Sequence, residues 1–561
     1  MRIANCSGFY GDRLTAMREV LDGGHVDVIT GDYLAELTML ILGRDQLKDP
    51  SLGYAKTFVR QLEDCLGDAL ERGVRIVSNA GGVNPAGLVA AIRELGLTPR
   101  IALVRGDDLT PRAGELGLGA PLGAHAYLGA FGIARALQAG ADVVVTGRVT
   151  DASLTIGPAI AHFGWGRHDL DALAGATVAG HVLECGAQAT GGNYAFFTEI
   201  DDLLRPGFPL AELHRDGSSV ITKHPGTGGA VTVGTVTAQL VYEVDDARYA
   251  GPDVTTRLDT ISLRPAGPDR VEISGVRGEP PPPDVKVSCT SAGGYRNELT
   301  VVLTGLDIEA KAELFRRQFE AATTAPAEVT WTLARVDAPD APTQQQASAL
   351  LTVVARDPDE KVAGRAFSNA AVQVALASYP GFFSTSPPGR AHPYGVFVPG
   401  FVPQTVPAHE VVLADGTVER IDPPAVTRAL EPLPGPPAAA FVPGPTRRRP
   451  LGTLAGARSG DKGGNANVGL WVRDDAAYPW LVSLITEETI RDLLPETATR
   501  PIRITRLPAI RAVNVVIDGL LGLGAAYDAR FDPQAKGLGE WLRSRHVEIP
   551  TSLLPSETEE T

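Results

Sequence analysis

Arg148 and Asp151 stand three positions apart, directly after the apolar run of residues 142–146. A guanidinium fork grips a carboxylate or phosphate, and an Asp beside it can move a proton, a pairing suited to proton abstraction next to a carbonyl. The plainer reading is that Asp151 caps a helix starting at Ala152 and pairs with Arg148. A second set, His181, Glu184 and Cys185, falls within one turn of a helical pattern over residues 169–188. Glu184 is a candidate acid or base, and Cys185 beside His181 is either a nucleophile or inert packing. A third set, Asp461 and Lys462, lies in a glycine-rich loop over residues 458–465 that ends at Asn465. There a cation beside a carboxylate either holds an acyl carboxylate or phosphate or is simply solvated.

Other stretches offer backbone donors. The loop SNAGGVNP places Asn79, Gly81, Gly82 and Asn84 after a second apolar run, with Pro85 at a first helical turn, and Gly147 permits close backbone approach beside Arg148. The segment from His224 through Thr227, Gly228 and Gly229 can wrap a phosphate with N–H groups or be a bare turn; His224 is a general base or a structural histidine. It is not a P-loop, since no Gly-Lys-Ser/Thr follows and β-rich sequence is expected after it in place of a helix. Gly519, Gly522 and Gly524 have the wrong spacing for a dinucleotide turn, and HExxH, GxSxG and EF-hand patterns are absent from the sequence. No metal and no redox cofactor is therefore assigned, although scattered carboxylates leave a divalent cation open.

The elements that must position these residues alternate at α/β spacing. Strands are expected at residues 2–6, 26–30, 74–78, 101–104 and 142–146, and helices at 13–21, 33–47, 55–72, 85–95, 126–139 and 169–188. If the strands share one open, mostly parallel sheet, their carboxyl ends face one crevice, where Arg148 and Asn84 would meet a single ligand. Beyond it the sequence reads as a β-rich continuation, including residues 231–244 and 284–289, with helices at 308–322, 343–355 and 368–378. A Pro-rich connector ends in the solvated triplet Arg447-Arg448-Arg449. A small α+β (ferredoxin-like) domain follows, with strands at 451–455, 466–472, 502–507 and 512–517 and helices near 478–485 and 536–544. The expected division is a main domain over 1–445, a C-terminal domain over 446–551 and a disordered tail over 552–561. Within the main domain, residues 1–190 form a wound α/β region, residues 191–422 a β-rich and helical region, and residues 423–445 the connector.

With 561 residues, 44% hydrophobic and 21% charged, the chain can bury more than one core. A formal net charge of -15 argues against a nucleic-acid partner. Cys6, Cys65, Cys185 and Cys289 form no C-x-x-C pair, so neither a disulfide framework nor a cysteine zinc site is indicated and a reducing cytoplasm fits. No apolar run approaches the roughly 20 residues of a membrane helix, so no membrane partner is expected.

Five blocks, IANCSGFYGDR, SNAGGVNP, AYLGAFGIARALQAGADVVVTGRVTDASL, ITKHPGTGGAV and RSGDKGGNANVGL, occur in this order. Together they resemble the acyclic terpene utilisation protein A (AtuA) family over nearly the whole chain, with a departure at His125, where a small polar residue is expected. The resemblance implies a cytoplasmic protein of pathways that degrade branched terpenoid acids as coenzyme A thioesters. The expected function is hydratase- or lyase-like proton chemistry on a branched acyl-CoA or related carboxylate, adding or removing water or cleaving a carbon–carbon bond near the thioester, with coenzyme A entering only as part of the substrate. Asp151 or Glu184 would be the base, Arg148 and the SNAGGVNP backbone would steady the developing charge, and Lys462 would hold the far end. The alternative is a non-catalytic acyl-CoA binding or assembly subunit serving a carboxylase or hydratase. A homo-oligomer is expected in either case.

Overall fold

The computed structural model describes residues 1–431, 433, 435 and 441–554. Of the expected connector, residues 432, 434 and 436–440 lie outside the described residues, as do 555–561 of the expected tail. Two compact units are present, one of residues 1–290, 397–522 and 534–561, the other of residues 291–396 and 523–533.

The first unit is built on β1 (Arg2–Asn5), α1 (Ala16–Gly23), β2 (Val28–Gly31), α2 (Glu36–Lys48), α3 (Lys56–Glu71), β3 (Arg75–Ser78), α4 (Pro85–Arg93), β4 (Ile101–Arg105), β5 (Gly123–Ala126), α5 (Phe131–Gln138), β6 (Val143–Thr146), α6 (Ser153–Phe163) and α7 (Leu170–Leu183). Strands β1, β2, β3, β6 and β4 lie side by side in that order and all run parallel. Alternate residues face opposite layers: Ile3, Val28, Val77 and Val144 pack with Ile133, Ile156 and Leu173 from α5, α6 and α7. Ala4, Ile29, Ile76 and Val145 pack with Met17, Leu62 and Leu88 from α1, α3 and α4. Burial on both faces is why these strands read as unbroken apolar runs.

The α/β sheet does not end with the first 190 residues. β7 (Pro209–Leu213) joins β1 antiparallel, β8 (Ser219–Lys223) follows, and Arg270–Ser274 and Ser262–Gly267 extend that edge, while Glu410–Val412 and Val418–Arg420 extend the other beyond β4, making eleven strands. The parallel core is thus flanked by antiparallel strands drawn from far along the chain.

Several expected elements differ. Residues 231–244 hold a helix, α8 (Val233–Leu240), not strands, because Thr232 and Thr235 form a reciprocal capping box that outweighs the β-branched content. A helix therefore does follow the His224 segment; the missing Gly-Lys-Ser/Thr alone distinguishes it from a P-loop. Residues 126–139 are helical only from Phe131, since Gly123–Ala126 is a strand paired with residues 287–290. The 169–188 pattern is helical to Leu183 and then tightens into the 3₁₀ turn Gly186–Thr190. Residues 458–462 are strand, not loop: Ala455–Lys462 and Asn465–Val472 form a hairpin whose two-residue turn has Gly463 at φ +62°. Leu451–Thr453, read as strand, is a 3₁₀ turn.

The C-terminal region of this unit is a four-stranded antiparallel sheet in the order Ala455–Lys462, Asn465–Val472, Ala512–Ile517, Ile502–Leu507. One face packs Val468, Leu470, Val513 and Val515 with Trp480, Leu481, Ile490 and Leu542. The other face meets the main sheet's layer: Gly469 sits against Val241, Gly460 leaves room for the Tyr242 ring, and Trp471 stacks near Tyr194. Within the second unit, residues 295–304 and Glu328–Ala334 pair with Ser348–Asp357, a strand where a helix over 343–355 was expected. Its Val353 and Ala355 are fully buried with Phe315 and Phe319 of the helix Ile308–Ala322, and a strand with a partner on each side suits β-branched Thr352, Val353 and Val354.

Candidate active site at the strand ends

Adjacent parallel strands deliver one polar side chain each from their carboxyl ends: Asn5 from β1, Asp32 after β2, Asn79 after β3 and Arg148 after β6. Asn79 donates from Nδ2 to Asp32 Oδ1 at 2.6 Å while its own Oδ1 accepts the Tyr33 N–H at 2.8 Å. Asp32 Oδ1 also accepts the Leu34 N–H at 3.1 Å. Asn5 donates to the carbonyls of Leu183 and Glu184 at 2.7 and 3.2 Å, which fixes the end of α7 against the sheet.

Arg148 is 4% exposed, and its guanidinium lies 4.2 Å over the Tyr127 ring. Its Nη2 is 2.8 Å from Asp151 Oδ1, an ion pair without hydrogen-bond alignment. The turn is held by Asp107, whose Oδ2 accepts the Arg148 N–H at 2.9 Å and sits 3.0 Å from His125 Nδ1. Gly147 is required here, since a Cβ would come within 2.7 Å of the Asp107 carboxylate. Asp151 does not cap the next helix; α6 starts at Ser153 with Ala152 at its N-cap and no side-chain cap.

At the end of α7, His181 Nδ1 lies 2.9 Å from Glu184 Oε1. Burial raises the Glu184 pKa, with His181 pulling it back and the Asp151 and Glu243 charges pushing it further up. Burial works to lower the His181 pKa, but Glu184's charge and hydrogen bond outweigh it and the group ends raised. The Asp32 carboxyl is raised well above its usual range, chiefly by burial and then by the Asp151 charge. Glu184 feels the charges of His181 and Asp151, and Asp32 those of Asp151, Arg148 and Glu184. Burial and the Glu184 and Glu243 charges push the Cys185 thiol well up, opposite to what an activated thiolate needs.

The C-terminal domain completes the site. Lys462 Nζ donates to the Glu243 carbonyl at 2.9 Å and lies 5.6 Å from the Tyr249 ring centre, with the His181 ring 5.4 Å from Tyr249 on its other contact. Lys536 bridges Asp461 at 3.2 Å and Glu243 at 3.3 Å. Arg148 Nη1, His181 Nε2 and Glu184 Oε2 are buried without a hydrogen-bond partner, and Asp151 Oδ1 has only its ion pair. A buried polar atom left unpaired costs about 1–3 kcal/mol, so these atoms are the ones in the cluster with hydrogen-bonding capacity left for a ligand. Among the described residues no group of three or more His, Cys, Asp and Glu side chains is arranged around a metal position.

Of the residues expected from sequence, Arg148, Asp151, Glu184, Asp461, Lys462 and Asn79 come together; Gly147 shapes the Arg148 turn. The others lie elsewhere. Asn84 caps α4, accepting the Gly87 N–H at 2.9 Å and donating to the Leu52 carbonyl at 2.8 Å. A Cβ on Gly81 would meet the Thr146 carbonyl at 2.4 Å, and Gly82 (φ +54°) packs against Leu42 and Gly53. His224 packs on Gly23 and Gly24, with both ring nitrogens buried and without a hydrogen bond, and burial and then Arg2 lower its pKa. Thr227 donates to the His224 carbonyl, Lys223 donates to the Thr227 carbonyl, and Gly228 and Gly229 lie against Asp202, whose carbonyl accepts from Gly229. Asn465 accepts the Gly519 N–H at 2.8 Å within its own domain. Asp32, Glu243, Tyr249 and Lys536 were not anticipated. Asp32 was within reach of the same logic that found Arg148, since it follows the apolar run of β2; nothing local marks the other three.

The model of the acyclic terpene utilisation family protein AtuA matches residues 1–413, and that of the AtuA ferredoxin-like domain matches residues 449–548. No curated protein matches the chain.

Proposed function

The chain belongs to the AtuA family of acyclic terpene utilisation, and on that premise we propose that it is an enzyme performing proton chemistry on a branched acyl-CoA or related carboxylate, adding or removing water beside the carbonyl. The observation that carries this reading is the set of buried atoms without a hydrogen bond on Arg148, His181 and Glu184, together with Asp151 Oδ1, which has only its ion pair. In the direction of water loss, Asp151 takes the proton from the carbon next to the carbonyl while Arg148 Nη1 steadies the negative charge that develops on the carbonyl oxygen. Glu184, biased toward its protonated form, gives its proton to the departing hydroxyl as the C–O bond breaks, and water leaves. His181 orients Glu184. Lys462 supplies a positive charge for the far end of the ligand. Carboxylates whose surroundings treat them differently are how one site holds an acid and a base at the same pH.

The protein is proposed to act on a small molecule in the cytoplasm, as a homo-oligomer, with coenzyme A as part of the substrate; no helix among the described residues is long and apolar enough to cross a membrane. Incubation with a panel of branched 3-hydroxyacyl and 2-enoyl thioesters of coenzyme A, read by mass spectrometry, tests the reading. A product 18 mass units lighter or heavier than its substrate, about one water, supports it. Tight binding without conversion favours the assembly-subunit alternative.

A further inference from the structure

Glu243 has a left-handed backbone, φ +56°, which a non-glycine residue adopts only when its surroundings insist. The surroundings here belong to the C-terminal domain. Asn467 Oδ1 accepts the Glu243 N–H at 2.7 Å, and Lys462 Nζ donates to its carbonyl at 2.9 Å. Asn467 is itself completely buried and hydrogen-bonds Asn514, whose Nδ2 donates to the Val244 carbonyl at 2.9 Å. The carboxylate then takes Lys536 at 3.3 Å, and Lys536 also holds Asp461 at 3.2 Å and reaches the Tyr242 hydroxyl. A strained main-domain residue is thus gripped at its N–H, its carbonyl and its carboxylate by three side chains of the other domain.

We propose that Glu243 is a positioning residue of the site, the point through which the ferredoxin-like domain sets Lys462 and Lys536 in place and through which it acts on the Glu184–His181 pair. The inference rests on the functional reading above. A plain interdomain contact needs no strain, and Gly would fill a left-handed turn at lower cost. What Glu adds is a charge, held where its field reaches His181, Glu184 and Cys185 at the end of α7, Tyr242 and Tyr249 beside it in the chain, and Asp461, Lys462 and Lys536 opposite. Lys536, Tyr242 and Lys462 hold the Glu243 carboxyl below its usual range despite its burial, so it stays ionised beside a Glu184 that is pushed the other way.

The test uses the full chain and whichever thioester the wild type converts. E243G relieves the backbone strain and removes the charge; E243Q keeps the strain and removes the charge; E243D keeps the charge in a residue that tolerates the left-handed region. E243G is expected to be at least as stable as the wild type to heat yet to lose about 10²-fold in kcat, as for a small misplacement of reacting groups, with E243Q equally slow and E243D partly restored. The Glu243 charge favours the protonated forms of both His181 and Glu184, the acid side of the reaction, so in E243Q the alkaline limb of the pH–rate profile moves to lower pH. If E243G and E243Q turn over at the wild-type rate with an unmoved profile, the role is overturned while the functional reading stands. A wild type silent on every thioester sinks both.

Discussion

The turn from β6 into α6 and the turn from β3 into α4 are built to the same plan, a buried strand running out into glycine and polar residues before a helix, and they end differently. In the first, the polar atoms are left over: Asp107 fixes the backbone, Ala152 rather than a polar side chain occupies the N-cap, and Arg148 Nη1 and Asp151 Oδ1 remain without hydrogen bonds. In the second they are used up: Asn84 caps its own helix and ties down residues 50–52, and only Asn79 turns toward the cluster, where it holds Asp32. Similar sequence texture therefore marks a strand end, and the hydrogen-bond accounting decides whether that end is a tool or a fastening.

The comparison breaks most visibly at Arg148. R148M should lose about 10²–10³-fold in kcat/KM for the thioester converted by the wild type, the scale of removing a donor from a developing oxyanion. It should keep its fold, because Met fills the space over Tyr127 and the backbone N–H still bonds Asp107. Turnover within a factor of about three of wild type would make Arg148 a fastening like Asn84.

Next comes Glu184. E184Q should lower kcat about 10²-fold, the contribution of one positioned acid, with KM little changed. Because the Glu184 and His181 pKa values are both raised on folding, the folded chain binds more protons than the unfolded one, and this pair's contribution to stability falls as pH rises above the ordinary carboxyl value. Denaturant titrations at several pH values should show a shallower loss of stability toward alkaline pH in E184Q than in the wild type.

Asp32 sharpens the point without touching turnover directly. Its pKa is raised, so stability is fully present below the ordinary carboxyl pKa of 3.8 and is lost as pH climbs toward the folded value. An Asn at this position keeps an oxygen for Asn79 Nδ2 and the Leu34 N–H, so D32N should melt a few degrees higher than wild type near neutral pH, roughly the effect of relieving one functional-site charge. An unchanged or lower melting temperature at neutral pH, with wild-type behaviour at pH 4, would show that the buried carboxylate is fully compensated.

How much of this was legible follows from which forces are local. The parallel strands β1, β2, β3, β4 and β6 were readable because burial on both faces writes an apolar run, and with them came Arg148 and Asp151. Asp461 and Lys462 were readable as chemistry but not as strand, because Lys462 reaches the Glu243 carbonyl of the main domain and Asp461 pairs with Lys536, so neither charge is left to solvent as in a loop. Glu243 left no trace, since the Asn467 and Lys462 side chains that hold its backbone lie more than 200 positions away. The helix at Val233–Leu240 was hidden by its own Val and Thr content, although the Thr232/Thr235 box was there to be seen.

Asn84 is the smallest effect and the one that tests the comparison from the other side. If its turn is only a fastening, N84A should leave kcat/KM within about twofold of wild type while costing on the order of 1 kcal/mol for the lost cap, and somewhat more because the carbonyls of Pro50, Ser51 and Leu52 lose their donor. N84D separates the two losses. Its carboxylate still accepts the Gly87 N–H and suits a helix N-terminus, but it cannot donate to those carbonyls and would be repelled by them. A stability order of wild type above N84D, measured by urea titration with turnover unchanged throughout, places the residue's work in holding residues 50–52 to α4. A drop in kcat/KM of tenfold or more in either variant would mean that the second turn reaches the ligand too, and the contrast between the two strand ends would have to be redrawn.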